Sequence, residues 1–122
     1  MNTIPVVEDN ADNRLLLRAF LGDTYEILEY ETGMAALEAF TTVKPHLILL
    51  DVSLPGMDGL AVLARLRGDE RLKKLPVIAL TAHAMHGDRE RFLKAGFDEY
   101  VSKPILDENV LLNAIRRLLE RT

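Results

Sequence analysis

The sequence predicts an α/β domain: a doubly wound, five-stranded parallel sheet with helices on both faces. Three observations predict it. Short apolar runs and longer stretches of helical spacing alternate five times along the 122 residues. The short runs are apolar along their length, as strands buried on both faces require. Asp9, Asp51, Thr81 and Lys103 each directly follow or lie close behind such a run, so parallel strands would gather them at one sheet edge.

The elements follow in order. Ile4 to Val7 reads as the first strand, although Pro5 falls inside it and cannot donate a ladder hydrogen bond. Either the regular strand begins at Val6, or the ladder tolerates a missing bond at the end away from Glu8 and Asp9. Leu16, Ala19 and Phe20 set a helical face, followed by a strand at Ile27 to Tyr30. Gly33 opens a second helix with Ala36, Leu37 and Phe40. Lys44-Pro45 then marks the approach to a third strand at Leu47 to Leu50. Leu60, Leu63 and Leu66 give a third helix. Leu75-Pro76 precedes a fourth strand at Val77 to Leu80. Phe92 and Ala95 mark a charged fourth helix that Gly96 closes as a C′ residue, ahead of a short strand at Tyr100 and Val101. The last helix has the clearest spacing, with Leu111, Ala114, Ile115 and Leu118 on one face.

Composition bounds the function. Fifteen Lys and Arg against nineteen Asp and Glu leave a formal charge of −4, which argues against a binder of nucleic-acid backbones. Cysteine is absent, so neither a disulfide framework nor a thiolate metal site is available. No apolar run is long enough to span a membrane and no signal-peptide layout opens the chain, which points to the cytoplasm. No repeat or linker divides residues 1 to 122, read as a single domain.

Taken singly, an Asp behind a strand is a turn or cap residue. Together, the carboxylates of Glu8, Asp9 and Asp51 would repel one another and require a cation. Oxygen donors without His or Cys select a hard ion, and a site that keeps several waters suits Mg²⁺. The Lys103 ammonium and the Thr81 hydroxyl would join it in stabilising a phosphoryl group through its equatorial oxygens. A carboxylate can accept that group as an aspartyl-phosphate, and Asp51, ending the run from His46 at the expected centre of the sheet, is the best acceptor.

Four ordered motifs then carry a resemblance. Val6-Val7-Glu8-Asp9-Asn10 resembles an acidic motif, and Leu50-Asp51-Val52-Ser53-Leu54-Pro55-Gly56-Met57-Asp58-Gly59 a phosphoacceptor loop. Ala79-Leu80-Thr81-Ala82 resembles a switch-threonine segment, and Tyr100-Val101-Ser102-Lys103-Pro104 a lysine-proline segment. The chain resembles receiver domains of two-component response regulators over its whole length. The segment from Thr81 to Arg91 is most similar to single-domain regulators of the DivK type and to receivers of hybrid histidine kinases.

The resemblance implies a flavodoxin-like strand order, 2-1-3-4-5. It implies that Asp51 attacks a phosphohistidine on a histidine kinase or histidine phosphotransferase. Mg²⁺, or Mn²⁺ in its place, would be held by Asp9, Asp51 and the backbone carbonyl of Ser53, with Glu8 reaching it directly or through water. Lys103 would pair with the phosphoryl oxygens or, before transfer, with Asp51. Thr81 would swing toward the phosphoryl group and Tyr100 would turn into the space vacated. Lys103-Pro104 would be cis. Ala82 would leave the phosphoryl site open, and Ser53 and His83 occupy positions that tune hydrolysis. Ser53 is too short to orient water, so self-dephosphorylation should be slow. His83 and His86 read as exposed loop residues, since imidazole does not suit a hard-ion site.

Only one helix follows Lys103, which leaves no room for an output domain, so the signal would pass to a protein partner, with the chain a monomer or weak dimer. The charged helix around Asp88 to Phe92, with its narrow apolar stripe, would shift readily between packings. Rival readings fare worse. A flavin carrier of this topology needs hydroxyls and amides where Glu8 and Asp9 stand. A Mg²⁺-dependent aspartate phosphatase needs a second Asp two residues after the first, where Ser53 cannot deliver a proton at neutral pH. An unphosphorylated docking module with a vestigial pocket would not need every phosphoryl-handling group to be present.

Overall fold

Strands β1 (Thr3–Val7), β2 (Glu26–Tyr30), β3 (Ile48–Asp51), β4 (Val77–Thr81) and β5 (Glu99–Ser102) pair in parallel, in the order β2-β1-β3-β4-β5. They belong to a computed structural model that describes residues 1–82 and 88–121. His83 and His86 lie outside the described residues. Helices α1 (Ala11–Leu21), α2 (Gly33–Ala39), α3 (Gly59–Arg67), α4 (Asp88–Ala95) and α5 (Glu108–Glu120) connect and follow the strands.

Side-chain alternation along the strands builds two cores. Ile4, Val6, Leu47, Leu49, Ile78, Leu80 and Val101 pack against Leu17 and Leu21 of α1 and Leu111, Ala114, Ile115 and Leu118 of α5. Val7, Ile48, Leu50, Val77 and Ala79 face the other way, against Ala36, Val62, Leu63, Leu66 and Phe92 of α2, α3 and α4. The apolar face of α1 is therefore Leu17 and Leu21. Of the face expected from Leu16, Ala19 and Phe20, Phe20 packs partly buried against this core, whereas Leu16 and Ala19 are exposed: in the run Leu15 to Leu17 it is Leu17, one turn before Leu21, that faces the sheet. Leu60 and Ala95 likewise point to solvent, and Val62 takes the core place expected of Leu60.

Local chemistry fixes the helix ends. Asn10, Thr32, Asp58 and Asp107 are N-caps in extended backbone, each accepting a first-turn N–H through its side chain. Gly96 ends α4 at φ +117°, the left-handed conformation expected of a C′ glycine. Phe97 N–H bonds the Phe92 carbonyl at 3.1 Å, Gly96 N–H bonds that of Leu93 at 3.2 Å, and the Phe92 and Phe97 rings meet edge-on at 6.0 Å, completing a Schellman motif.

Pro5 sits inside β1, opposite Leu28, so the strand does not wait for Val6. Glu8 N–H bonds Tyr30 O on β2, whereas Thr3 O accepts from His46 on the β3 side, so odd residues of β1 face β3. The missing N–H thus falls on the side where registered pairing with β3 begins only at Val6 and Leu49. The ladder tolerates the proline because the defect lies at its loose end, remote from Glu8.

Arg67, at the end of α3, straps the opposite end of the sheet. Its guanidinium donates to the carbonyls of Gly96, Lys73 and Leu75 and to the Asp98 carboxylate, at 2.6–3.1 Å. Asp98 Oδ2 also accepts the first N–H of β4, from Val77, at 2.8 Å.

Candidate functional site

The strand order juxtaposes the carboxyl ends of β1, β3 and β4, and the predicted residues sit there. Asp51 and Thr81 are the last residues of their strands rather than the first beyond them. Both are 2% exposed. Glu8 follows β1 and is fully buried, while Asp9 beside it is exposed. Lys103, just past β5, reaches back to both buried acids. Its Nζ lies 2.9 Å from Asp51 Oδ2 and 2.9 Å from Glu8 Oε1. Its peptide bond to Pro104 is cis, and its backbone N–H bonds the Thr81 carbonyl at 2.7 Å.

The loop after β3 holds the other side of Asp51. Ser53 N–H donates to Asp51 Oδ1 at 2.9 Å. Gly59, the first residue of α3, lies so close to the end of β3 that a Cβ there would sit 2.3 Å from the Asp51 carbonyl oxygen and 2.7 Å from Val52 Cα. Gly59 N–H bonds the Val52 carbonyl at 3.0 Å, which draws α3 against the strand end.

These contacts set the charges. Burial pushes the Asp51 carboxyl upward, but the neighbouring Glu8 carboxyl, the Lys103 ammonium and the Ser53 N–H outweigh it, and Asp51 is held below the usual carboxylate range. Burial raises Glu8 to about 7, reinforced by Asp51 and opposed by Lys103. Burial alone would lower Lys103, yet its two carboxylate partners raise it, so it stays an ammonium. The pair of buried acids therefore divides into an ionised Asp51 and a Glu8 that readily holds a proton.

One oxygen separates this cluster from an ordinary ion-pair network. Glu8 Oε2 is buried and has no hydrogen-bond partner among the described residues, a costly arrangement unless something else meets it. Glu8, Asp9 and Asp51 each offer a carboxylate oxygen, all within 4.8 Å of one another. An all-oxygen set of three carboxyl groups with a single ammonium beside it fits a hard divalent cation, whose charge would also favour the ionised form of Glu8.

Thr81 and Tyr100 lie on the sheet face toward α4. Tyr100 pairs in register with Ala79, and Thr81 lies two residues farther along β4 from Ala79, so both side chains project to that face. The half-buried Tyr100 ring packs 6.2 Å from that of Phe92, with the Arg89 guanidinium 5.9 Å from its centroid. Arg89 and Arg117 also neutralise Glu99, a buried acid on β5, at 2.9 and 3.0 Å.

Sequence reasoning passed over Asn13 and Arg14. Asn13 Nδ2 donates to Glu8 Oε1 at 2.7 Å and Arg14 Nη1 to the Glu8 carbonyl at 2.8 Å. Their only sequence signal is position, in the first turn of the helix that follows the acidic pair.

Comparison with known proteins agrees with this geometry. Residues 4–116 match the family model of the response regulator receiver domain. The polar-differentiation response regulator DivK of Brucella ovis is 42% identical over 104 residues, spanning 84% of this chain and 85% of that protein. A signal receiver domain of a histidine kinase from Syntrophus aciditrophicus superposes with a TM-score of 0.89 at 32% identity, over 100% of this chain and 92% of that one. A receiver domain of a Pseudomonas aeruginosa sensor histidine kinase, with a magnesium ion coordinated in its active-site cleft, gives 0.88 at 32% identity over 98% of each chain. The chain belongs to the response regulator receiver family, the phosphoacceptor modules of two-component signalling.

Proposed function

We propose that Asp51 accepts a phosphoryl group from a phosphohistidine on a histidine kinase or histidine phosphotransferase, and that the modified domain signals to a protein partner in the cytoplasm. The observation that carries this reading is the Asp51 carboxylate itself. It is buried yet held ionised, with one oxygen on Ser53 N–H and the other on Lys103, beside two further acids. An ionised carboxylate needs no base to become a nucleophile. One of its oxygens forms the new O–P bond as the N–P bond of the phosphohistidine breaks, and the bonding pair returns to the imidazole nitrogen of the donor.

Asp9, Asp51 and the Ser53 carbonyl would hold Mg²⁺ or Mn²⁺, with Glu8 reaching it directly or through water. When bound, the ion neutralises charge on the phosphoryl oxygens. Lys103 exchanges its carboxylate partners for a phosphoryl oxygen, since its long stem pivots while its backbone stays tied to Thr81. Thr81 then turns toward the phosphoryl group, and Tyr100, on the same face, follows into the vacated space and changes the surface that α4 and β5 present. Hydrolysis of the aspartyl-phosphate resets the domain, slowly, because Ser53 is too short to orient a water.

Beryllofluoride, a stable mimic of the phosphoryl group, tests the acceptor directly. With Mg²⁺ it should shift the amide signals of residues around Asp51, Thr81 and Tyr100, and Asp51→Asn should abolish the shifts. Identical shifts in Asp51→Asn would remove Asp51 from the role. No shift in the wild type would leave a docking module with a vestigial pocket.

A further inference from the structure

Glu8 carries a long side chain whose position must be fixed by its neighbours. Two donors converge on one of its oxygens, Asn13 Nδ2 at 2.7 Å and Lys103 Nζ at 2.9 Å, both to Oε1. Oε2 receives none. The two donors are not equivalent. Lys103 is shared with Asp51 and is the group that must turn to an incoming phosphoryl oxygen. Asn13 is bound to no second acid, and its own backbone N–H is fixed by the N-cap Asn10 at 3.0 Å. Its neighbour Arg14 grips the Glu8 carbonyl at 2.8 Å, so the first turn of α1 holds both the backbone and the carboxylate of Glu8.

We propose that Asn13 is a positioning residue for the metal site: it pins Glu8 Oε1 and so keeps Oε2 presented to a divalent cation, above all once Lys103 has left. The inference rests on the receiver reading of the site. A carboxamide suits this task because it donates a hydrogen bond without bringing charge. A second ammonium in its place would neutralise Glu8 and compete with the cation.

Amide signals followed by NMR during titration with MgCl₂, at fixed pH and ionic strength, test it in four proteins: wild type, Asn13→Ala, Glu8→Gln and the double variant. Groups that orient a metal ligand typically change affinity by 10–100-fold, and Asn13→Ala should weaken Mg²⁺ binding by about tenfold. In the Glu8→Gln background the same substitution should change affinity by less than about twofold, because Asn13 acts through Glu8. Should Asn13→Ala be too unstable to titrate, Asn13→Leu, similar in volume and lacking the donor, should give the same loss. An affinity within about twofold of wild type, or an equal loss in both backgrounds, would overturn the role of Asn13 while leaving the metal site intact. A wild type that does not bind Mg²⁺ would overturn the metal site and this inference with it.

Discussion

Substituting Gly59 by alanine should disable the site without touching any charged group in it. The Cβ would lie 2.3 Å from the Asp51 carbonyl oxygen and 3.0 Å from its carbonyl carbon, where ordinary contact begins at 3.4 Å. The strand end must therefore retreat by about 1 Å, and its atoms are backbone held in the β3–β4 ladder by Val52 N–H on the Leu80 carbonyl. Forcing a methyl into such packing costs about 1–3 kcal/mol, and the helix propensity gained at this first position of α3 offsets only part of it. The larger effect is on chemistry. Asp51 would shift relative to Lys103, now 2.9 Å away, and a misplacement of about 1 Å costs on the order of 100-fold in rate. Urea unfolding gives the stability, and intact-mass spectrometry after exposure to acetyl phosphate and Mg²⁺ gives the phosphorylation rate. Gly68→Ala is the control: it caps α3 at φ −85°, and a Cβ there meets nothing closer than 3.5 Å. It should be neutral or stabilise by up to about 1 kcal/mol. If Gly59→Ala matched the control in both stability and rate, the claim that close backbone approach positions Asp51 would be wrong.

Three other outcomes are expected. Arg67→Ala should destabilise by about 3 kcal/mol in urea titrations, since it strips partners from three carbonyls and Asp98, with phosphorylation little changed in the fraction that stays folded. Glu8 titrates at about 7 in the fold against an ordinary 4.5, so the metal-free protein gains stability from its extra proton below about 4.5 and loses it as pH rises through 7. Stability should fall over that window by at most about 1.4 kcal/mol per pH unit, seen as a falling melting temperature, and added Mg²⁺ should counter the fall at the alkaline end, where Glu8 is ionised. A melting temperature that rose from pH 5 to 7 without metal would contradict the buried placement of Glu8. Pro5→Val should leave Mg²⁺ affinity unchanged and alter stability by less than about 1 kcal/mol, because the regained hydrogen bond is offset by a more flexible unfolded chain.

The elements were legible because burial on both faces makes the run Leu47 to Leu50, which leads into and forms most of β3, uniformly apolar, and because Gly96 and the helix periodicity of α5 have local causes. The same local signals could not order the strands: 2-1-3-4-5 followed from the motif resemblance, since periodicity carries no information about which runs are neighbours. Asp51, Lys103 and Glu8 were found as a set because each stands at or behind a strand. Asn13 escaped because a polar residue in the first turn of a helix has the same sequence appearance whether it faces water or a buried carboxylate. Gly59 and Arg67 escaped for a related reason. A steric limit on Cβ, and a guanidinium fitted to three carbonyls from two other segments, exist only after the chain has folded.

Chemical mapping of the phosphorylated residue bears most directly on the central claim. After phosphotransfer from a histidine kinase in Mg²⁺, borohydride reduction converts an aspartyl-phosphate to homoserine, which peptide mass spectrometry locates. Homoserine at position 51, absent from Asp51→Asn and from reactions with the metal chelated, is the expected result. Homoserine at another position, or transfer that persists undiminished in Asp51→Asn, would show that the buried carboxylate between Ser53 and Lys103 is not the acceptor.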